Sequence, residues 1–245
     1  MTSAPVIAVF RPDDDRLRDA VALLESLECE AVADAMLAVE PTDEHPRTDA
    51  EFTVLTSKTG VELVDESDWV PTGELCAIGS STAEAFREHG YGVDRVPETY
   101  SSAGLVEELR DAVEGVRVEI ARSDHGSDVL LEGLNDIGAY VHETVLYRLV
   151  RPAEAGESCE RAARGDLDGA LFSSSLTVEH FVGAAADRGI REAAIAGLDD
   201  AVVGAIGRPT ADRAADLGIE VDVVPDTADF ETLAREVVTR IRERE

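Results

Sequence analysis

Small polar residues follow several predicted strands at the points where helices are predicted to begin. Four segments share this character: Thr56–Lys58, Gly79–Thr82, Ser173–Ser175 and Gly207–Thr210. Backbone N–H groups are free at a helix start, and the helix dipole favours anions there. Two such sets of loops with a cleft between them would suit a large ligand with several carboxylates. Ser, Thr and Gly are also ordinary helix caps, so the prediction depends on the whole set.

The candidate substrate-binding residues share a position at or just beyond the predicted carboxyl end of a strand, where open α/β sheets bind ligands. They are Arg11, Ser57, Lys58, Ser80, Ser81, Thr82, Arg122, Ser173, Ser174, Arg208 and Thr210. Lys58 is the sole lysine of the chain, and a chance position on its loop is about as plausible as a functional one. The run of three serines leaves open which of them would contact a ligand.

Tyr147 is the candidate catalytic residue, and it lies in a stretch predicted to connect two domains. Residues 37–42 and 144–151 both read as extended and end at or beside a proline. A connector tyrosine that faces the cleft would orient a ligand or donate a proton. The alternative interpretation is an aromatic ring that packs at the domain junction.

An internal repeat indicates how these residues are positioned. Residues 76–109 and 204–237 align without a gap and are identical at 13 of 34 positions. Fainter similarity extends upstream, so the chain reads as two copies of one unit. Within each copy, short β-branched runs alternate with helical patterns, and Gly90 and Gly218 occupy the position after a helix end.

This alternation predicts the fold class. Continuous apolar strands separated by helices indicate parallel sheets covered on both faces. Each copy should form a small flavodoxin-like α/β domain, and a two-stranded connector should join the two. The repeat alone predicts two sequential domains.

The charge of the chain excludes several classes of protein. There are 52 Asp and Glu residues against 22 Lys and Arg, which gives a net charge of −30. A nucleic-acid partner or a membrane surface would require basic patches, and the sequence contains none. No apolar run is long enough for a transmembrane helix, and the N-terminus lacks the features of a signal peptide, so we expect a cytoplasmic protein. The spread of acidic residues is typical of proteins in concentrated salt, where charge repulsion is screened.

Cofactor motifs are absent from the sequence. There is no dinucleotide-binding glycine motif, no P-loop, no nucleophile elbow and no Cys/His metal spacing. The three cysteines are far apart, which favours buried free thiols. A reaction that needs no cofactor, or simple binding of an anionic ligand, is therefore favoured.

The order of the motifs resembles the uroporphyrinogen-III synthase family over nearly the whole chain. The similarity rests on VFRP, VLTSKTGVE, CAIGSSTAEAFREHG, VEIARSDHGSDVLLEGLNDIG, ETVLYRLV, LFSSSLTVEHF and VVGAIGRPTADRAADLG. The resemblance implies an enzyme, a cyclising hydro-lyase without a cofactor. Its substrate would be hydroxymethylbilane, closed to uroporphyrinogen III with inversion of ring D and loss of water. A monomer is expected.

The resemblance also implies an exchanged domain layout and roles for particular residues. Residues 1–36 and 152–245 would form one domain, residues 43–143 the other, and residues 37–42 and 144–151 the connector strands. Tyr147 matches the connector tyrosine proposed to assist departure of the hydroxyl group. The residues that match cleft threonines and serines of the family are Thr82, Thr210, Ser57 and Ser173.

The acidic composition poses a problem for an enzyme whose substrate carries eight carboxylates. The sequence offers few cations at predicted strand ends or on the connector: Arg11, Lys58, Arg122, Arg148 and Arg208. We expect these side chains to make the binding region neutral or positive while the outer surface stays acidic.

Overall fold

The computed structural model describes residues 4–67 and 69–244. Strands and helices alternate along these residues. The strands are β1 (Val6–Phe10), β2 (Glu30–Ala33), β3 (Ala38–Pro41), β4 (Phe52–Leu55), β5 (Glu74–Ala77), β6 (Arg117–Ser123), β7 (Tyr140–Val150), β8 (Gly169–Phe172) and β9 (Val202–Ala205). The helices are α1 (Asp15–Ser26), α2 (Lys58–Glu66), α3 (Ser80–Glu88), α4 (Ser102–Leu109), α5 (Asp128–Ile137), α6 (Glu157–Arg164), α7 (Ser175–Asp187), α8 (Arg191–Leu198), α9 (Arg208–Asp216) and α10 (Phe230–Arg244).

The chain divides into two compact units, each built on its own sheet. Unit 1 contains the described residues up to Ala38 and from Val150 onward, and unit 2 contains Val39–Leu149. The strand order is β2-β1-β8-β9 in unit 1 and β3-β7-β6-β4-β5 in unit 2. Strands β2-β1-β8-β9 and β7-β6-β4-β5 are parallel within their sheets. The predicted α/β class with parallel sheets is therefore confirmed.

The first strand of the chain completes the sheet of the C-terminal part. β1 pairs with β8, and Phe10 lies opposite Phe172. In unit 2, β6 takes the corresponding place and pairs with β4, with Ala121 opposite Leu55. The pieces β1-α1-β2 and β6-α5-β7 are thus equivalent in topology, and the order of units along the chain is not the simple sequential one that the repeat alone suggests.

The repeated segments adopt the same local structure. The Ala77 N–H donates to the Arg95 carbonyl at 3.0 Å, and the Ala205 N–H donates to the Val223 carbonyl at 2.9 Å, at matching positions of the repeat. These bonds fix the chain that returns from α3 and α9 beside β5 and β9.

Left-handed glycines end both of these helices. Gly90 and Gly218 have φ of +82° and +89°, a region that residues with a side chain enter at a cost. Each follows the last residues of its helix, α3 or α9. The predicted helix ends are confirmed.

β7 is one unbroken strand and includes most of the second predicted connector. The sequence placed the domain boundary after residue 143, but pairing with β6 continues through Tyr147, past a register shift. β3 lies beside β7 at the sheet edge, and the Thr42 N–H donates to the Leu146 carbonyl at 2.9 Å. Residues 144–149 belong to unit 2 because their backbone is hydrogen-bonded into its sheet.

Apolar side chains cover both faces of each sheet and fix the loops at the carboxyl ends. Alternate residues of β1 illustrate this, because Phe10 packs toward one core and Val9 toward the other. The rings of Phe10 and Phe172 stack at 4.5 Å, directly beneath the loops of unit 1. Among helices in the described ranges, none is long and apolar enough to span a membrane.

Candidate functional site

The predicted residues Ser57 and Tyr147 meet at the carboxyl edge of the unit 2 sheet. The Tyr147 hydroxyl donates to Ser57 Oγ at 2.9 Å. Ser57 is also the N-cap of α2, where its Oγ accepts from the Gly60 N–H at 3.0 Å. Ser57 Oγ therefore accepts two hydrogen bonds, which leaves its own O–H proton free to be donated elsewhere.

The Tyr147 ring is buried, and only its hydroxyl end reaches this edge. The residue is 6% exposed and packs in the core that also holds Leu55, Val61 and Ala121. Tyr147 is thus a fixed part of β7 and not an open connector residue. Its burial limits rotation of the ring, so the hydroxyl is held on Ser57.

The predicted threonines occupy equivalent places in the first turns of α3 and α9. Thr82 is 2% exposed and Thr210 is 4% exposed. Both helices begin at a glycine that has no side chain to cap the first N–H groups. Ser80 and Ser81 precede Thr82 and are exposed. At the start of α3, solvent reaches Ser80 and Ser81. Thr82 is buried there, as Thr210 is at the start of α9.

The three serines after β8 have separate partners. Ser173 donates its hydroxyl to the Phe10 carbonyl at 2.6 Å. Ser174 is the N-cap of α7 and forms a capping box with Thr177. Ser175 donates to the Pro209 carbonyl at 3.1 Å.

The sequence leaves open which of the three serines is equivalent to Ser57. Ser57 is the N-cap of α2 and Ser174 is the N-cap of α7, so these two serines occupy corresponding places in the two units.

Arg122 is a buried structural residue, contrary to the expectation of a cation available to substrate. Its side chain is 3% exposed, and its Nε donates to Glu143 at 2.6 Å. Its Nη1 donates to the Ser127 carbonyl at 2.6 Å. A methyl group added to Gly126 would lie 2.4 Å from the guanidinium, so the loop closes over it. Burial beneath this loop and pairing with Glu143 shield the charge.

Arg11 holds the corresponding place in unit 1 but has different neighbours and no ion pair as close as that of Arg122 with Glu143 among the described residues. Its guanidinium lies over the Phe230 ring, 4.3 Å from the ring centre. Its Nε is buried, and no hydrogen-bond partner for it is present in the described ranges. Burial, followed by the nearby charge of Arg16, lowers the pKa of Arg11. Arg11 therefore places a half-buried guanidinium at the carboxyl edge of unit 1, supported by the Phe230 ring.

The other predicted cations are exposed in different surroundings. Lys58 is 60% exposed and lies 3.8 Å from Glu62. Arg208 is exposed at the first position of α9. Arg148 borders an open cavity of about 340 Å³ whose lining includes the acidic residues Glu40, Asp43 and Glu44. The expected set of five available cations is thus reduced, because Arg122 is buried and Arg148 faces carboxylates.

Phe230 and Glu143 are site neighbours that the sequence reasoning missed. Phe230 supports the Arg11 guanidinium and Glu143 holds that of Arg122. A signal for Phe230 existed, since it lies within the repeated segment 204–237, at the position of Ser102. Within residues 4–67 and 69–244, the His, Cys, Asp and Glu side chains form no group that would hold a metal ion.

Solved structures share this fold. A uroporphyrinogen III synthase mutant from Thermus thermophilus superposes with a TM-score of 0.67 at 20% identity, covering 99% of this chain and 100% of that one. A uroporphyrinogen-III synthetase from Helicobacter pylori superposes with a TM-score of 0.63 at 14% identity, covering 97% and 99%. At these identities the likeness establishes the fold alone.

Sequence comparisons establish the family. A protein of Methanothermobacter thermautotrophicus with a provisional uroporphyrinogen-III synthase assignment is 30% identical over 230 residues, 87% of this chain and 90% of that one. The uroporphyrinogen-III synthase of Chlorobaculum parvum is 21% identical over 73% of this chain and 71% of its own. The family model described as uroporphyrinogen-III synthase HemD matches residues 18–235. The chain therefore belongs to the uroporphyrinogen-III synthase family, the cyclising lyases of tetrapyrrole biosynthesis.

Proposed function

We propose that this chain cyclises hydroxymethylbilane, with inversion of ring D and loss of water, to give uroporphyrinogen III. Family membership supports the reaction. The Tyr147–Ser57 hydrogen bond at the carboxyl edge of unit 2 is the observation that supports a site for it. Loss of the substrate hydroxyl needs one proton, and this pair places a serine proton at an edge where ligands of such sheets bind.

The proposed proton donor is the Ser57 hydroxyl, polarised by Tyr147. Protonation of the terminal hydroxyl breaks its C–O bond, releases water and leaves a cationic azafulvene. Bond formation at the substituted carbon of ring D, fragmentation and reclosure then return one proton. The two hydrogen bonds that Ser57 Oγ accepts increase the acidity of its proton. General acid assistance of this kind contributes roughly 100- to 10,000-fold in enzymes.

Positioning of the substrate carboxylates is assigned to the available donors of each unit. In unit 1 these are the half-buried guanidinium of Arg11 and exposed Arg208. In unit 2 they are Lys58 and the exposed hydroxyls of Ser80 and Ser81. We propose that the other residues of the predicted set shape the loops that carry these donors: Thr82, Arg122, Ser173, Ser174 and Thr210. Correct positioning lowers the barrier because the reaction is intramolecular.

An isomer assay tests the proposed function. Hydroxymethylbilane is supplied to the protein in concentrated KCl, and the porphyrins are oxidised and separated into isomers I and III. We expect isomer III in excess, and a Tyr147→Phe variant that folds as the wild type but forms it more slowly. Formation of the spontaneous isomer I alone, by protein whose circular dichroism shows it folded, would contradict the proposal.

We further propose that the enzyme works as a monomer in a salt-rich cytoplasm. The net charge of −30 supports this, because self-repulsion of that size is tolerated when the screening length falls to about 3 Å at 1 M salt. The midpoint of thermal unfolding should rise by about 10 °C when KCl is increased from 0.1 to 2 M. Light scattering in the same buffers should report the monomer mass of 26.2 kDa.

A binding protein without catalytic activity was the alternative interpretation of the sequence. The family assignment does not favour it, since the members are cyclising lyases. The isomer assay separates the two, because a binding protein would leave isomer I as the product.

A further inference from the structure

An exposed aromatic side chain lies at the same edge of unit 2 as Ser57. Tyr100 is 62% exposed, although it belongs to an ordered turn before α4. Its ring rests against Gly79, the residue at which α3 begins. A methyl group added to Gly79 would lie 3.2 Å from both Cβ and Cγ of Tyr100, a tight contact that would displace the ring by a few tenths of an ångström.

The turn that carries Tyr100 is rigid. The Ser101 N–H donates to the Thr99 carbonyl at 2.8 Å, and Ser101 Oγ accepts from the Gly104 N–H at 3.0 Å. A methyl group added to Gly104 would lie 2.0 Å from the Thr99 carbonyl oxygen, so the turn closes tightly on the start of α4. The Cβ–Cγ end of the side chain therefore lies against the start of α3, and most of the residue is exposed to solvent.

Tyr100 is also near the Tyr147–Ser57 pair. Leu55 of β4 and Ala77 of β5 are register partners. Ser57 comes two residues after Leu55, and Gly79 comes two residues after Ala77. The two residues therefore follow neighbouring strands, which lie about 5 Å apart in such sheets. The repeat places Ala228 at the position of Tyr100 in unit 1, so this aromatic ring is particular to the unit that carries Ser57.

We propose that the Tyr100 ring stacks on a pyrrole ring of the linear tetrapyrrole and positions it for closure. This inference rests on the proposed function. Pyrrole rings are flat and electron-rich, and offset stacking on a phenol ring is favourable. An exposed ring carried by an ordered turn loses little backbone freedom on binding, so it discriminates among orientations of the substrate as well as adding affinity.

Replacement of Tyr100 by Ala, Phe and Leu tests the proposal, with Tyr140→Ala as the matched control. Tyr140 is 68% exposed at the amino end of β7, at the opposite edge of the same sheet. We expect Tyr100→Ala to raise KM and the Kd for uroporphyrinogen III about three- to tenfold and to increase the fraction of isomer I, with an unchanged melting temperature. Tyr100→Phe should behave as the wild type, and Tyr100→Leu should fall between.

The outcomes are distinct from those of the isomer assay. If the wild type forms isomer III and Tyr100→Ala has an unaltered KM, Kd and isomer ratio, the role of Tyr100 is overturned. The proposed function then remains intact. A Tyr100→Phe variant as impaired as Tyr100→Ala would also overturn it, because the hydroxyl and not the ring would then matter. If Tyr100→Ala lowers the melting temperature, the comparison of Tyr100→Phe with Tyr100→Leu decides, since both keep the bulk of the side chain.

Discussion

The carboxyl edges of the two units are built on the same strand order but carry different chemistry. In unit 2, Ser123 of β6 pairs with Tyr147 of β7, and the tyrosine reaches Ser57. In unit 1, Pro12 bridges to Leu37 at the corresponding place. The side chain of leucine has no hydrogen-bond donor, so the serine cap of α7 has no counterpart of the Tyr147 hydroxyl at this position.

The two arginines at corresponding strand ends, Arg122 and Arg11, also differ, and here the residue of unit 2 has the closer partners. Arg122 of unit 2 is locked by Glu143 and a closed loop, whereas Arg11 of unit 1 lies over the Phe230 ring. Equivalent positions of the two units thus carry different groups, a hydroxyl that accepts two hydrogen bonds in unit 2 and a half-buried guanidinium without a carboxylate partner as close as Glu143 in unit 1. This comparison predicts that equivalent substitutions in the two units will have unequal effects.

The largest expected effect concerns two of the three buried thiols, Cys76 in unit 2 and Cys159 in unit 1. Burial raises the pKa of Cys76 in unit 2 and of Cys159 in unit 1 to about 12. The raised pKa favours the protonated thiol in the folded state. This stabilisation is complete below the ordinary thiol pKa and is lost as the pH rises toward 12.

At pH 8 these thiols should therefore react with iodoacetamide about a thousandfold more slowly in the folded protein than in denaturant. Mass spectrometry of labelled peptides measures each site, and reports which unit opens first as denaturant is added. Rapid labelling of either residue in native protein would contradict the buried assignment.

Removal of Arg122 should destabilise unit 2, while removal of Arg11 should spare the fold. Arg122→Gln leaves the partly exposed Glu143 without its buried partner, and we expect a loss of about 2–3 kcal/mol of unfolding free energy. Arg11→Gln should weaken substrate binding and change stability by less than about 1 kcal/mol. Urea titrations of the two variants in equal KCl compare them, with Cys76 labelling as the reporter of unit 2. Equal loss of stability would remove the distinction between the two arginines.

Much of the fold followed from local patterns, because they depend on residues close in sequence. Strand and helix alternation, and the glycines at 90 and 218, need no knowledge of tertiary contacts. The burial of the Arg122 side chain could not be predicted in this way. Whether a strand-end arginine faces solvent depends on Glu143, which comes from the neighbouring strand, and on the loop that closes over it.

The candidate site residues were named from the sequence, but the contacts between them depend on strand register. Ser57 and Tyr147 were both expected, but their contact arises across β7 and β4, which β6 separates in the sheet. The shift between Arg122 and Ser123 decides which residue of β7 reaches Ser57. A repeat alignment made on sequence alone contains no such bulge.

Loss of the Tyr147 hydroxyl should reduce turnover more than binding. Tyr147→Phe keeps the buried ring and removes the donor to Ser57, and we expect kcat to fall roughly ten- to hundredfold with a smaller change in KM. Tyr140→Phe serves as control, since that residue is exposed at the other edge. An equal fall in KM and kcat, or wild-type turnover, would show that the hydroxyl does not act in the chemical step.

The serine caps provide a smaller and more selective contrast. Ser57→Ala and Ser174→Ala each remove a helix cap, at a cost of about 1 kcal/mol in stability. Only Ser57→Ala also removes the partner of Tyr147, so it alone should lose turnover beyond what its stability explains. Thermal unfolding and kcat measured on both variants separate the two contributions. Similar kcat values for the pair would place the proton donor elsewhere.

The smallest expected effect compares the two glycines that begin α3 and α9. Gly79 and Gly207 have extended φ of −170° and −173°, so alanine strains neither backbone. A methyl group at Gly207 meets only the Pro209 Cδ at 3.9 Å, whereas one at Gly79 meets the Tyr100 ring at 3.2 Å. Gly79→Ala must therefore displace the ring by a few tenths of an ångström, and we expect KM to rise about twofold. Gly207→Ala should change KM less, because nothing at the unit 1 edge depends on that approach. If the two variants are indistinguishable in KM, close packing of Tyr100 on α3 has no part in binding.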